Sequence, residues 1–345
     1  MGALSWVRRL AAGLAVAGLL GGCAQAATLS PAATPIQTVA NVSPQPATTT
    51  PNGSAVSVTA DVPYQSSDPL LDSGVLDVYA PATPGPWPVV IMFHGDPAGS
   101  TTKVDLAVHA RKVAQSRFVV FVPSWGQFPA GSSLDWTKAV IEDSSAQVAC
   151  AVAFAASQAV RFGGDPARLI VFGHSAGAMA AAGTVFGRPD PSPGCLGGST
   201  LPSISALVTW EGDWLLAWDP GWDDRLAADP SVLDAATSWS SLAHDRTVRV
   251  AMLVADDPEM PDLPVDKLAA RDPSGALRKQ LEANGALADG QISDTESQQL
   301  LFSLLKAQGN PVTLDVMPDS THGHILGEAG WPVFLAAFAK ASASS

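Results

Sequence analysis

Cysteine is scarce in this chain of 345 residues: there are three, at positions 23, 150 and 195. Three thiols cannot build a disulfide scaffold, and none of these has the spacing of a zinc site. Charge is scarce as well. Only 15% of the residues are Asp, Glu, Lys or Arg against 47% hydrophobic ones, a balance that excludes a largely disordered protein. Basic residues are the scarcer sign, 19 Lys plus Arg against 32 Asp plus Glu, for a formal net charge of -13. With no basic block the chain is unsuited to hold a phosphate backbone, so no nucleic acid is expected as a partner. No apolar run reaches the ~18 residues of a membrane-spanning helix, which excludes a multi-pass membrane protein. The composition does supply enough apolar residues for one large core.

The N-terminus reads as an address followed by a tether. Arg8 and Arg9 precede an apolar run from Leu10 to Leu20, too short to span a bilayer and the right size for a signal-peptide core. The run ends in Leu20-Gly21-Gly22-Cys23, which resembles the lipobox of bacterial lipoproteins. That resemblance implies removal of residues 1–22 and acylation of Cys23. The protein is then exported and held by its lipid on the outer face of a bacterial membrane. From Ala24 to Ala60 there is no charged residue, and prolines stand at 31, 35, 44, 46 and 51. This stretch lacks helical or strand periodicity, so residues 23–54 are expected to form a flexible linker and residues 55–345 a folded domain.

The folded part alternates strand-like and helix-like runs. Ala55 to Val62 and Gly74 to Tyr79 read as two strands able to pair antiparallel. Pro88 to Phe93, Phe118 to Val122 and Leu169 to Phe172 are unbroken apolar runs, as central strands buried on both faces require. Ile204 to Thr209, Val248 to Val254 and Val312 to Met317 complete a set of about eight. Helices are expected over Lys103–Gln115, Trp136–Val160, Ala176–Thr184, Ser297–Gln308 and Trp331–Ala341. Such alternation predicts an α/β fold with a mainly parallel sheet and helices on both faces. Pro258 to Ser293 is too long for a simple connection and reads as an insertion at the rim.

Gly173-His174-Ser175-Ala176-Gly177 fits G-x-S-x-G. Alone the motif is weak, but here it follows a buried strand and opens a helix of small residues. That is the setting a nucleophile elbow needs, where a sharp turn lifts the hydroxyl clear of the backbone. Together with Leu76-Asp77-Val78-Tyr79-Ala80-Pro81, His94-Gly95-Asp96 and Gly163-Gly164-Asp165-Pro166-Ala167-Arg168, the elbow resembles the α/β-hydrolase superfamily, in its carboxylesterase and feruloyl-esterase-like branch. The likeness covers about residues 55 to 342.

A serine hydroxyl is a weak nucleophile at neutral pH and needs a base held by an acid. In the family the chain order is Ser, then Asp or Glu, then His. After the last strand come His322 and His324; the family motif aligns with His322, and His324 is the alternative. After the strand Val248–Val254, Asp257-Pro258-Glu259-Met260-Pro261 resembles the family's D-P-x-x-P turn, which implies Asp257 as the acid. Asp256 is its neighbour and rival, and Glu211 and Asp213, one strand earlier, are a further option. The resemblance implies an oxyanion hole made by the backbone N–H groups of Ala176 and Asp96. It implies acyl transfer on carboxylic esters through an acyl-enzyme on Ser175, with no cofactor and no metal.

Two features are open to a structural reading. Trp210, Trp214, Trp218 and Trp222 recur every four residues and suit either packing or the wall of a pocket. Cys150 and Cys195 flank the elbow, and an exported compartment favours a disulfide between them. Within enzymes, a lipase, polyester hydrolase or peptidase of the same fold fits the same motifs. A lipoprotein that keeps the fold as a binding module is the rival from another class.

Overall fold

The computed structural model describes residues 55–66, 74–95, 102–126, 138–212, 246–257, 263–264, 291–323 and 326–343. The expected signal peptide, Cys23 and the linker lie outside the described residues, as do Asp96, Asp213, His324, Trp214, Trp218, Trp222 and most of the 258–293 insertion.

The strands are β1 (Val56–Pro63), β2 (Val75–Pro81), β3 (Trp87–Phe93), β4 (Val119–Pro123), β5 (Gly164–His174), β6 (Ala206–Trp210), β7 (Arg249–Asp257), β8 (Leu263–Pro264), β9 (Gln291–Ile292) and β10 (Val312–Thr321). The helices are α1 (Ala107–Gln115), α2 (Lys138–Gln158), α3 (Ala176–Ala182), α4 (Asp294–Gln308) and α5 (Gly330–Ser342). Eight strands form one sheet in the order β1-β2-β4-β3-β5-β6-β7-β10, while β8 and β9 make a separate two-stranded pair. β1 is antiparallel to β2 and β2 to β4; the remaining neighbours are all parallel.

The unbroken apolar runs are explained by burial on both faces. Along β3, Val89, Ile91 and Phe93 enter one core while Val90 and Met92 enter the other. Successive side chains of a strand point to opposite faces, so a strand covered on both sides must be apolar at every position. Residues of α2, α3 and α4 fill the first core, and residues of α1 and α5 fill the second.

Several elements extend past their apolar runs, each for a local reason. The segment Lys103–Leu106 is a 3-10 turn leading into α1, closed by a capping box between Thr102 and Asp105. Helix α4 begins at Asp294 because Ser293 and Glu296 make a second capping box. β5 reaches back to Gly164 through pairing with Trp87 and Pro88 of β3. Asp77 is held inside the sheet edge by Lys103, which also meets Asp61 at the bulge in β1. Burial of both partners makes this ion pair a structural lock whose loss leaves a buried charge unpaired.

A disulfide joins Cys150 in α2 to Cys195 in the loop after α3, with Cα atoms 5.3 Å apart. The same loop is stitched to the sheet edge: Ser66 N–H donates to Gly194 O at 2.9 Å and Leu196 N–H to Tyr64 O at 3.0 Å. Closing a span of 45 residues removes much of the freedom of the unfolded chain. The Cys150→Ala/Cys195→Ala variant is expected to lose about 2–4 kcal/mol of stability. Thermal unfolding with and without reductant measures it: reductant lowers the wild-type midpoint and leaves the variant unmoved.

Candidate active site

Four neighbouring parallel strands, β5, β6, β7 and β10, end on the same edge of the sheet. In a parallel sheet the carboxyl ends of the strands are where side chains from distant parts of the chain meet. Here they bring together Ser175, Glu211 and His322.

Ser175 stands between the end of β5 and the start of α3 with φ 52 and ψ -125, a conformation that a non-glycine residue adopts only under strain. The elbow is sharp because its flanks carry no side chain. A Cβ on Gly173 would stand 2.1 Å from Gly177 O, and one on Gly177 would stand 2.4 Å from the carbonyl oxygens of Phe93 and His94. Neither position can hold even a methyl group without moving backbone. Ser175 N–H donates to Trp210 O at 3.0 Å, which ties the elbow to β6.

His322 Nε2 lies 3.1 Å from Ser175 Oγ, and His322 Nδ1 lies 2.8 Å from Glu211 Oε2. A carboxylate only accepts, so Nδ1 carries the proton and donates to Glu211. Nε2 is then the free lone pair and accepts from the serine hydroxyl. The ring thus stands in the tautomer a general base requires.

Glu211 immediately follows β6 and has a fully buried side chain. Its backbone takes φ 44, its N–H donates to Leu253 O at 2.9 Å, and its Oε1 accepts from Ala255 N–H at 2.7 Å. Gln298 of α4 closes the turn by donating to Gly212 O at 2.7 Å. One oxygen of the carboxylate is therefore fixed on β7 and the other on the imidazole.

The geometry puts Glu211 on His322 Nδ1, the place the sequence analysis gave to Asp257. Nδ1 of His322 is already occupied by Glu211, and an imidazole N–H serves one in-plane acceptor. The backbone of Asp257 pairs with Thr321 at the end of the sheet, and its side chain lies outside the described residues. The carboxylate of Asp256 accepts the backbone N–H groups of Asp319 and Ser320, each at 2.9 Å. The turn motif drew the expectation to the end of β7, one strand beyond the carboxylate that meets the imidazole. Glu211 carried a signal of its own, a carboxylate placed directly after a five-residue buried strand in which Thr209 alone is polar.

Ala176 is the first residue of α3, so its N–H has no carbonyl of its own helix to meet. Three further contacts escaped the sequence. His174 Nε2 donates to His322 O at 2.8 Å, which fastens His322 by its own backbone. His94 O accepts from Trp125 Nε1 at 3.1 Å, and His94 Nδ1 donates to Gly95 O at 2.8 Å, so the loop after β3 is held from two sides. Trp210 is fully buried against His174 and Phe334, at ring separations of 4.9 and 5.8 Å, so it packs in the core.

No family model matches the sequence, and no curated protein matches it. Solved structures do match. A truncated carbohydrate esterase from gut microbiota superposes with a TM-score of 0.57 at 15% identity, over 83% of this chain and 96% of that one. Thermogutta terrifontis esterase 2, phosphoramylated by tabun, gives a TM-score of 0.56 at 15% identity, over 82% of this chain and 92% of that one. Inhibited esterase B from Lactobacillus rhamnosis gives 0.55 at 15% identity, over 83% and 87%. The chain has the α/β-hydrolase fold. Within this fold the turn of Ser175 follows β5 and His322 follows the last strand of the main sheet, while the carboxylate on the imidazole follows β6.

Proposed function

We propose that the protein is a serine hydrolase of carboxylic esters, acting through an acyl-enzyme on Ser175. The observation that carries this reading is the line Glu211–His322–Ser175, with bonds of 2.8 and 3.1 Å and the serine held at positive φ. His322 takes the proton of Ser175 as Oγ attacks the ester carbonyl, and the carbonyl electrons move onto oxygen. The N–H of Ala176 is one donor to that oxyanion, and Asp96 of the loop after β3 is assigned the other. Collapse of the intermediate expels the alcohol with the proton from His322, and water, activated by the same base, releases the acid.

Support comes from the structural neighbours, which are esterases; the Thermogutta enzyme has propionate-bound and butyrate-bound forms. Short acyl esters are accordingly the first substrates to offer. Cys23 is assigned as the lipid anchor, with residues 24–54 as the spacer to an exported catalytic domain. The test is turnover of nitrophenyl esters from acetyl to decanoyl by the purified protein, beside labelling with a fluorophosphonate. Turnover with the label on Ser175 supports the reading. A folded sample that neither turns over any ester nor takes the label points instead to a binding lipoprotein that has kept the fold.

A further inference from the structure

The end of β10 does not match β7 residue for residue. Met317 pairs with Ala255 and Thr321 with Asp257, so four steps along β10 answer two along β7. The surplus chain turns through Asp319, at φ 52. A bulge of this kind takes its own N–H groups off the ladder, and each then needs another acceptor. Asp256 supplies both: Oδ2 accepts from Asp319 N–H and Oδ1 from Ser320 N–H, each at 2.9 Å. The other side of the turn is closed by Gly327 N–H on Asp319 O at 2.6 Å and by Ser320 Oγ on Met317 O at 2.5 Å. His322 stands two residues beyond Ser320.

We infer that Asp256 is a positioning residue, a carboxylate clamp that sets the bulge of β10 and through it the place of His322 between Glu211 and Ser175. The inference rests on the esterase reading for its kinetic half only. Division of labour follows from position. A carboxylate after β6 reaches the imidazole, and a carboxylate in the last two residues of β7 holds the backbone of the histidine turn. Bonds from N–H groups to a charged acceptor are short and strong, which suits it to hold a turn in a conformation the chain would otherwise leave. The site needs that hold because a displacement of about 1 Å between reacting groups costs roughly 100-fold in rate.

The test compares wild type with Asp256→Ala and Asp256→Asn. In Asp256→Ala kcat is expected to fall about 10- to 100-fold with KM nearly unchanged. Asp256→Asn keeps one oxygen acceptor and is expected to recover most of that loss. Proton NMR gives a second reading: the low-field Nδ1–H resonance of His322 is expected in wild type and Asp256→Asn, and lost or shifted upfield in Asp256→Ala. If Asp256→Ala does not fold, Asp256→Asn carries the test, with a kcat loss of several-fold and a low-field resonance that is kept but displaced from its wild-type position expected. Wild-type kcat in both variants, or lowered kcat with an unmoved resonance, overturns the clamp. A wild type that shows the resonance yet hydrolyses no ester sinks the esterase reading instead, and the clamp is then judged by the resonance alone.

Discussion

Replacing Ser175 with Ala is expected to lower ester turnover by about 10^6-fold, and replacing both Ser175 and His322 is expected to cost little more. The two residues act as a unit. Without the hydroxyl, the base at Nε2 has no proton to accept from a nucleophile; without the base, the hydroxyl keeps its proton. Removing either therefore removes nearly the whole of covalent catalysis, and the second removal finds nothing left to take. Residual activity comes from the oxyanion donors and from binding, and is shared by the single and double variants. The measurement is kcat for a nitrophenyl ester with each of the three proteins, with ester binding checked separately. Losses that multiplied, rather than saturating, would show two independent contributions and would break the assignment of His322 as the base for Ser175.

The second large effect belongs to Glu211. Its replacement by Gln is expected to lower kcat roughly 10^3- to 10^4-fold with little change in fold. Ala255 N–H donates to Oε1 of Glu211, so a Gln amide keeps its oxygen there and turns its NH2 toward His322. Nδ1 must then accept, which places the ring proton on Nε2 and leaves no lone pair for the proton of Ser175. The substitution changes one atom in size and inverts the tautomer of the base. Asp257→Asn is expected to leave kcat near that of wild type, because Nδ1 already has its acceptor. The opposite ranking of these two variants would return the role of the acid to the strand expected from the sequence. Substitution of Glu211 by Asp is a milder case, since a carboxylate still only accepts and so keeps the tautomer, while a side chain one methylene shorter weakens the span from Ala255 N–H to His322.

Much of the architecture was legible because it rests on patterns that lie along the chain. The apolar run Val89 to Phe93 announces a strand covered on both faces, and such strands alternating with helices imply the parallel sheet that is found. The elbow was legible for the same reason. The steric demand that removes side chains from Gly173 and Gly177 acts within five residues, and so it leaves its mark within five residues. Boundaries were less legible where polar caps set them, as at Ser293 and Glu296 of α4, because a capping box is a hydrogen-bond pattern and leaves no apolar period.

The choice of the acid was not legible at all from the neighbourhood of any one residue. Glu211, Asp256 and Asp257 are each carboxylates at the end of a strand, and a turn motif made Asp257 the better match. Which of them meets His322 depends on the register of β6, β7 and β10 and on the surplus residues in β10 that Asp256 holds. Register between strands 40 or more residues apart is a property of packing. The amino-acid sequence by itself determined the fold class, the nucleophile turn and the histidine, since each is encoded by local sterics or by a short apolar period. Tertiary structure alone decided that Glu211 faces the imidazole and that Asp256 faces the backbone, because one hydrogen-bond length separates those roles and only the assembled sheet sets distances that fine.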